Sequence, residues 1–337
     1  MRFSDLPLRP PIEPMKSRQV ASIPLGERWM YEPKWDGFRC VAFRSGNDVE
    51  LESKSGQSLT RYFPEIASAL LDLTAQRFAI DGELFIESGN GFDFDALLQR
   101  IHPAASRVAR LAQETPAKYA VFDILVDEEN RPLYERPLAE RRRAFEAFAE
   151  TYFRKRGALV VSPATGDAEL AHAWLAGDAA RLDGVIAKRL DLAYDFGGRD
   201  AVVKIKRRYT ADCVVGGFRR SSDGKVASLL LGLYDGANLD HVGFVGSMSA
   251  HERARAGELL EPIVEPPGFT GTAPGGPSRW RKGDAEAEWF PVRPAVVVEV
   301  AFDHVTGRRF RHGAKLLRWR PDKAPRECTI DQLLQPA

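Results

Sequence analysis

The periodicity of apolar residues changes near residue 208 of this 337-residue chain. Upstream of it, short strand-like runs alternate with amphipathic helical stretches such as PEIASALLDL and LAERRRAFEAFAETYF. Downstream, strand-like runs such as TADCVVGGF and VASLLLGLYDG follow one another with little more than turn clusters between them. We therefore predict two domains: an α+β domain of mainly antiparallel sheets with flanking helices over residues 1–207, and a small all-β barrel over residues 208–337.

Four stretches carry further expectations about local structure. The residues FDALLQRIHPAASRVARLAQE are interpreted as one helical stretch, and EPPGFTGTAPGGPSRWRKGD as a long loop. The ERRR run in LAERRRAFEAFAETYF is interpreted as a solvated helix face, because Ala144, Phe145, Phe148 and Ala149 recur at helical spacing beside it. In the second region, short strands with one short helix, SAHERARAGELL, are typical of the oligonucleotide-binding (OB) fold.

Composition argues against several classes of protein. The formal net charge of +1 gives no global basic field, so a nucleic-acid partner would have to be bound by local patches. The three cysteines, Cys40, Cys213 and Cys328, form no CxxC pair, which argues against a zinc knuckle and against a secreted disulfide framework. The sequence has no signal-peptide pattern and no run of about 18 apolar residues, so we expect a cytoplasmic protein that is not inserted in a membrane.

Charged residues recur at the ends of the predicted strands of the first region. The segment EPKWDGFRC brings Lys34, Asp36 and Arg39 close together in sequence. Further charged residues and one aromatic residue lie within apolar, strand-like segments: Asp81 and Glu83 in AIDGELFI, Phe122 and Asp123 in YAVFDIL, Asp183 and Lys188 in LDGVIAKR, and Lys204 and Lys206 in VVKIKRR. Because strand ends of one scaffold can converge on one pocket, this ordered set predicts a shared site.

A lysine in such a site could act as a nucleophile. A lysine amine attacks a nucleoside triphosphate only when it is deprotonated, and an unperturbed lysine, with a pKa of about 10.4, is almost fully protonated at neutral pH. The site must therefore disfavour the ammonium form with a divalent metal or with neighbouring cations, for which Lys188, Lys204 and Lys206 are candidates. The same cations would stabilise the charge that develops as pyrophosphate leaves.

Taken in order, these segments resemble the motifs of the lysine-dependent nucleotidyltransferases, the superfamily of DNA ligases, RNA ligases and mRNA capping enzymes. The matching segments are KWDGFR (motif I), SKSGQSLTRYFPE (Ia), IDGEL (III), VFDIL (IIIa), DGVIAK (IV), VVKIK (V) and FRHGAKLLRWRPDK (the ligase form of motif VI). The resemblance is closest to the small bacterial ATP-dependent DNA ligases of the C type. It implies a nucleotidyltransferase domain over residues 1–207, followed by an OB-fold domain over residues 208–337.

The resemblance also implies a reaction and its partners. Lys34 would be adenylylated by ATP, AMP would move to the 5′-phosphate of a nick in duplex DNA, and the 3′-hydroxyl would then displace AMP and seal the strand. A cytoplasmic monomer with a role in DNA repair is expected. The repair pathway, the protein partners and the tolerance of ribonucleotides at the 3′ side are left open.

The roles of individual residues follow from the same resemblance. Catalytic roles are implied for Lys34, Asp36, Arg39, Lys204 and Lys206. ATP would be bound by Glu32, Lys34, Arg39, Lys54, Glu83, Phe122, Lys188, Lys204, Lys206, Arg318 and Lys323. Asp183 and Glu83 would hold Mg²⁺ or Mn²⁺, and the DNA would be contacted by Arg308, Arg311 and Arg320. Within the ATP site, Glu83 would bind the ribose, Phe122 would stack on adenine, and Glu32 would lie beside the adenine edge.

Two positions depart from the usual motifs. Motif IV usually offers a glutamate as metal ligand, and this chain has Asp183, which is one methylene shorter. Motif Ia usually has an arginine where this chain has Lys54, and a lysine cannot make a planar bidentate contact to ribose or phosphate.

Three other functions use similar residues. A capping guanylyltransferase also carries a KxDGxR lysine on a transferase domain joined to a small barrel, but the LRWRPDK ending resembles the ligases. An RNA ligase is disfavoured because the predicted barrel directly follows motif V. A non-catalytic DNA end-binding module would not need the nucleophile Lys34 together with Lys204 and Lys206.

Overall fold

The computed structural model describes residues 3–89, 91–153, 157–176, 182–207, 209–275 and 288–333. The chain divides into two compact units, residues 1–207 and 208–337, and each unit has its own apolar core. Among the described residues, no helix combines the length and the apolar composition needed to cross a membrane.

The described residues of the first unit contain eleven strands, five α-helices and a short 3-10 helix, Thr60–Tyr62. The strands are β1 (Arg18–Gln19), β2 (Trp29–Pro33), β3 (Phe38–Ser45), β4 (Asp48–Ser53), β5 (Arg77–Phe85), β6 (Glu87–Ser88), β7 (Gly91–Phe92), β8 (Lys118–Val126), β9 (Leu159–Val161), β10 (Gly184–Arg189) and β11 (Val202–Lys206). The helices are α1 (Pro64–Leu71), α2 (Phe94–Gln99), α3 (Ala105–Glu114), α4 (Leu138–Tyr152) and α5 (Ala168–Ala176).

Two sheets form the frame of this unit. One has the order β1-β11-β10-β2 and the other the order β4-β3-β5-β8-β9, and most neighbouring strands are antiparallel. Successive residues of β3 alternate between two apolar clusters, with Cys40 and Ala42 in one and Val41 and Phe43 in the other. Because side chains of a strand alternate between faces, the second sheet is covered on both sides.

Two expectations about the helices of this unit were wrong. The stretch that was expected to be one helix forms α2 and α3 instead, separated by a segment that contains Pro103, whose ring disfavours helical conformation in the preceding residue. The ERRR run is not a solvated face, because Arg141 is 1% and Arg142 7% exposed. Arg141 lies four residues before the core residue Phe145, and therefore on the buried face of α4.

The described residues of the second unit form an antiparallel barrel-like sheet. Its strands are β12 (Tyr209–Arg220), β13 (Val226–Asp235), β14 (Asn238–Val245), β15 (Phe290–Pro291), β16 (Val297–Phe302) and β19 (Lys315–Trp319), while β17 (Val305–Thr306) and β18 (Arg309–Phe310) form a separate hairpin. A bridge from Val245 at the end of β14 to Ala314, just before β19, brings the two outer strands together. Helix α6 (Ala250–Leu260) begins at a capping box between Ser249 and Glu252. Residues 276–284 of the expected long loop lie outside the described residues.

Candidate active site

Lys34 follows β2 and is held against the start of β10 by its backbone. Its amide N–H donates to the Gly184 carbonyl at 2.9 Å, and its carbonyl accepts from the Asp183 amide at 3.1 Å. Gly184 has a φ of +146°, and a Cβ atom there would lie 2.0 Å from the Ile205 carbonyl oxygen, so only glycine fits. The Lys34 Nζ forms an ion pair with the carboxylate of Asp183, which is 4% exposed. The DGVIAK segment thus holds Lys34, the expected nucleophile, through backbone hydrogen bonds and through the charge of Asp183.

Arg39 and Glu83 are direct neighbours on the antiparallel strands β3 and β5. Arg39 donates two hydrogen bonds to the buried carboxylate of Asp81, each at 2.6 Å, and its guanidinium carbon lies 4.7 Å from the centre of the Phe122 ring. Burial is the main cause that raises the pKa of Glu83 to about 7, and the negative charges of Asp81 and Asp36 act in the same direction. Glu83 is therefore a carboxyl group that can gain or lose a proton near neutral pH.

Three buried side-chain atoms without a hydrogen bond among the described residues lie close together: Glu32 Oε1, Arg142 Nη1 and Lys188 Nζ. Glu32 is 1% exposed, its Oε1 accepts no hydrogen bond, and it lies 3.7 Å from Arg142 Nη1, which donates none. Its Oε2 lies 2.8 Å from Lys188 Nζ, an ion-pair distance without hydrogen-bond geometry. Lys188 also lies 4.1 Å from the centre of the Phe122 ring. Since buried polar atoms normally have partners, this group is suited to receive the polar edge of a ligand beside an aromatic ring.

A cluster of lysines forms another part of the site. Burial lowers the pKa of Lys204 on β11, and the positive charges of Lys34, Lys206 and Lys54 lower it further. Lys204 and Lys206 are two residues apart, so both project from the same face of the strand. Lys54 is exposed in the turn that follows β4. Together these side chains form a positive field suited to a polyphosphate.

These groups surround one cavity of about 840 Å³, which lies within the size range of small-ligand sites. The predicted residues that line it are Glu32, Lys34, Arg39, Lys54, Glu83, Phe122, Lys188 and Lys204. Asp36, Asp183 and Lys206 are not part of its lining, although each is near a residue that is.

The predicted residues of the second unit are held by acids of that unit. Arg318 Nε donates to Glu299 at 2.5 Å, Arg320 Nη1 to both oxygens of Asp212 at 2.9 and 3.1 Å, and Lys323 Nζ lies 3.1 Å from Asp212. Arg320 also pairs with Asp322. Of the expected DNA contacts outside this cluster, Arg308 pairs with Asp235 at 2.6 Å, and the Arg311 backbone N–H donates to the His304 carbonyl.

Three residues in or near the walls of the cavity were not expected from the sequence: Met15, Tyr194 and Arg142. The segment of residues 13–17, which contains Met15, forms one wall, and Asp81 lies at the end of the Arg39 side chain. Tyr194 donates to Asp81, and Arg142 lies behind Glu32. Asp81 was expected in a shared site because it is an acid within an apolar, strand-like segment. Met15, Tyr194 and Arg142 carry no local pattern that indicates a site.

Known proteins match the chain over both units. The family model described as ATP dependent DNA ligase domain matches residues 14–206, and the one described as ATP dependent DNA ligase C terminal region matches residues 222–323. DNA ligase C1 of Mycolicibacterium smegmatis is 44% identical over 98% of this chain and 96% of its own length. The multifunctional non-homologous end joining DNA repair protein LigD of Mycobacterium tuberculosis is 30% identical over 89% of this chain and 37% of LigD.

Among solved structures, a Lig E DNA ligase superposes with a TM-score of 0.51 at 17% identity, over 90% of this chain and 99% of that one. This likeness concerns the fold alone. Together with the two family models, it confirms the expected fold class, a nucleotidyltransferase domain of mainly antiparallel sheets followed by an OB-fold domain.

Proposed function

The chain belongs to the family of ATP-dependent DNA ligases, and on that premise we propose that Lys34 is its nucleophile and that the cavity around Lys34 binds ATP. One observation carries the proposal: a single cavity brings together a lysine, a buried acid beside an aromatic ring, and a cluster of cations. These are the groups that adenine, ribose and a triphosphate require.

The positions of the side chains suggest how ATP lies in the cavity. Glu32 Oε1 is an acceptor for the amino group of adenine, and Phe122 offers the ring on which the base would stack. Glu83 and Arg39 lie next to each other and would bind the ribose and the α-phosphate. Lys204 and Lys54 would bind the phosphates, which directs the α-phosphorus toward Lys34.

Three transfers would then use the same cavity. The Lys34 amine attacks the α-phosphorus of ATP and expels pyrophosphate, which gives a phosphoramidate with AMP. The 5′-phosphate of a nick attacks this phosphorus and releases Lys34, and the 3′-hydroxyl finally attacks the DNA phosphorus and releases AMP. Lys204 and Lys206 stabilise the charge of each transition state.

We propose that a divalent cation binds beside Lys34. Carboxylate oxygens are ligands that Mg²⁺ and Mn²⁺ prefer, and two carboxylates lie near this lysine: Asp183 pairs with it, and the charge of the lysine acts on the pKa of Glu83. The cation would neutralise phosphate charge when bound. Asp183 already pairs with Lys34, so the cation would share this carboxylate with the lysine.

The expected DNA partner is a nicked duplex with a 5′-phosphate and a 3′-hydroxyl. Arg318 and Lys323 of the second unit would bind the pyrophosphate, while Arg308, Arg311 and Arg320 would contact the DNA. The likeness to LigD, a protein named for DNA repair, supports a repair role, and we propose that the enzyme acts in the cytoplasm. We propose that the enzyme acts as a monomer.

Sealing of a nicked duplex in the presence of Mg²⁺ tests the proposed function. We expect sealing with ATP but not with GTP, and no sealing of a matched nick that carries a 5′-hydroxyl, because that end offers no phosphate for adenylylation. Sealing with GTP but not ATP, or no sealing with either nucleotide, would contradict the proposal.

Adenylylation should depend on the protonation of Glu83. Its pKa is raised to about 7, so the carboxylate needed to accept a ribose hydroxyl or to bind a cation is lost as the pH falls through 7. Protonation of Glu83 should by itself lower the adenylylation rate at subsaturating ATP about tenfold for each pH unit below this value, in addition to the fall caused by protonation of the Lys34 amine. The γ-phosphate of ATP titrates in a similar range, so Glu83→Gln is the control: its residual rate should lose the part of the pH dependence that belongs to Glu83. An unchanged profile in Glu83→Gln would refute the role of Glu83.

DNA binding should weaken steeply with salt. Because the net charge is only +1, binding must rest on local contacts between arginines and phosphates, and such contacts are sensitive to salt. With three such contacts, the Kd for a nicked duplex should rise by roughly fiftyfold between 50 and 200 mM KCl. Arg308→Ala should reduce the slope of log Kd against log salt by about one, whereas Arg110→Ala, which removes an exposed arginine of α3, should leave it unchanged. A salt-independent Kd would exclude phosphate contacts as the main source of affinity.

A further inference from the structure

The hydroxyl of Tyr194 joins two parts of the cavity that are far apart in sequence. Tyr194 is 4% exposed and lies in the segment between β10 and β11. Its hydroxyl donates to Asp81 Oδ2 at 2.6 Å and accepts the Met15 backbone N–H at 3.1 Å. No proposed catalytic step uses Tyr194, and it does not line the cavity.

The first connection leads to Arg39. Asp81 is fully buried on β5 and accepts two hydrogen bonds from Arg39 as well as one from Tyr194. Burial raises the pKa of the Tyr194 hydroxyl well above its ordinary value, and the charge of Asp81 raises it further, so the hydroxyl keeps its proton and remains a donor. Three donors on one carboxylate restrict the position of Asp81, and thereby that of the Arg39 guanidinium over Phe122.

The second connection leads to the segment of residues 12–17, which we call the N-terminal wall because residues 13–17 line the cavity. Besides the bond from Met15 to Tyr194, the Ile12 N–H donates to Glu52 at 2.7 Å and the Lys16 N–H to the Gly198 carbonyl at 2.8 Å. The Tyr194 bond is the one at the middle of the wall. The bond from Met15 to Tyr194 is also close to Arg39, since Arg39 Nη2 lies 3.5 Å from the Met15 carbonyl.

We propose that Tyr194 is a positioning residue for ATP binding, whose hydroxyl fixes Arg39 through Asp81 and the N-terminal wall through Met15 before the nucleotide arrives. This rests on the proposed function of the cavity. Loss of the hydroxyl leaves the Met15 N–H buried without its acceptor and Asp81 without one donor, so Arg39 and the wall can occupy other positions. Ordering them again would then cost part of the binding free energy of ATP.

Tyr194→Phe removes the hydroxyl and retains the ring. The matched control is Tyr134→Phe: Tyr134 packs against the same Phe196 ring as Tyr194, and within the described residues its hydroxyl makes no hydrogen bond. In single-turnover adenylylation, we expect Tyr194→Phe to raise the half-saturating ATP concentration about tenfold, with the limiting rate within about threefold of wild type. Tyr134→Phe should change neither value by more than about twofold.

A double-mutant cycle separates positioning from a general loss of stability. Because Arg39 is one of the two parts of the cavity that Tyr194 holds, Tyr194→Phe should raise the half-saturating ATP concentration by less than about threefold in an Arg39→Ala background. An equal effect in both backgrounds would overturn the connection through Arg39, and equal values for Tyr194→Phe and Tyr134→Phe would overturn the proposal as a whole. So would a tenfold loss confined to the limiting rate.

Amide hydrogen exchange of the wild-type protein without nucleotide provides a test that needs no variant. We expect the Met15 amide to be protected, because it donates to Tyr194 before ATP binds. Exchange at the rate of an open chain would overturn the proposal even if Tyr194→Phe fails to fold. Failure of the proposed function would be distinct, since wild-type protein would then form no covalent AMP at all.

Discussion

Replacement of Lys34 by alanine or arginine is expected to reduce the formation of covalent protein–AMP by at least about a thousandfold. Alanine removes the amine, and arginine cannot replace it because a guanidinium stays protonated in proteins. The measurement is the transfer of label from α-labelled ATP to the protein, resolved by denaturing electrophoresis.

The arginine variant also controls for stability. Lys34 pairs with Asp183, which is 4% exposed, so Lys34→Ala leaves a buried carboxylate without this ion pair, whereas Lys34→Arg keeps a positive charge there. Lys225→Ala, at a lysine of the second unit whose side chain is 75% exposed, should label like wild type. Labelling of a folded Lys34→Arg protein at the wild-type rate would show that another residue is the nucleophile.

The second large effect is expected on stability, from Arg141→Ala. Arg141 donates to both oxygens of Asp123 at 2.9 and 2.8 Å, and both residues are 1% exposed. Removing the arginine leaves a fully buried carboxylate without its ion pair, which typically costs about 3–5 kcal/mol of the free energy of unfolding. Since Asp123 follows Phe122 on β8, the variant should also bind ATP more weakly.

Denaturant unfolding with a neighbouring variant as control tests this expectation. Arg143 lies on the same helix, but its side chain is exposed and, among the described residues, donates only to the Ala139 carbonyl, so Arg143→Ala should change the free energy of unfolding by no more than about 0.5 kcal/mol. Similar small effects of both substitutions would show that the Arg141–Asp123 pair does not stabilise the fold as described.

The residues expected in the cavity could be predicted from the sequence because each lies in a strand or at the end of one. Lys34, Glu83, Phe122 and Lys204 lie in or next to short apolar runs, and pairing of those runs brings their side chains to one place. The apolar pattern predicted the strands, and the order of the charges indicated the shared site.

The missed features depend on contacts between distant parts of the chain. Tyr194 and Asp81 are 113 residues apart, and neither segment shows that a hydroxyl meets a carboxylate. Arg141 was misinterpreted because an arginine run resembles a solvated face, although its spacing to Phe145 places it on the apolar side of α4. Its partner Asp123, on a central strand, becomes evident only when α4 packs on β8.

The cationic cluster of the second unit is another case in which contacts between distant residues were not evident from the sequence. Arg318 and Lys323 were expected to bind ATP and Arg320 to contact DNA, and within the barrel all three pair with acids. Asp212 is 108 residues from Arg320 in sequence. Sequence alone therefore identified the cations but not the carboxylates that hold them.

The most direct test of Lys34 as the nucleophile isolates the enzyme after reaction with ATP and Mg²⁺, maps the AMP by peptide mass spectrometry, and then adds nicked duplex without ATP. We predict AMP on the peptide that contains Lys34, and sealing of about one nick for each adenylylated molecule, with release of AMP. AMP on a different lysine, or an adenylylated protein that keeps its AMP in the presence of nicks, would contradict this prediction.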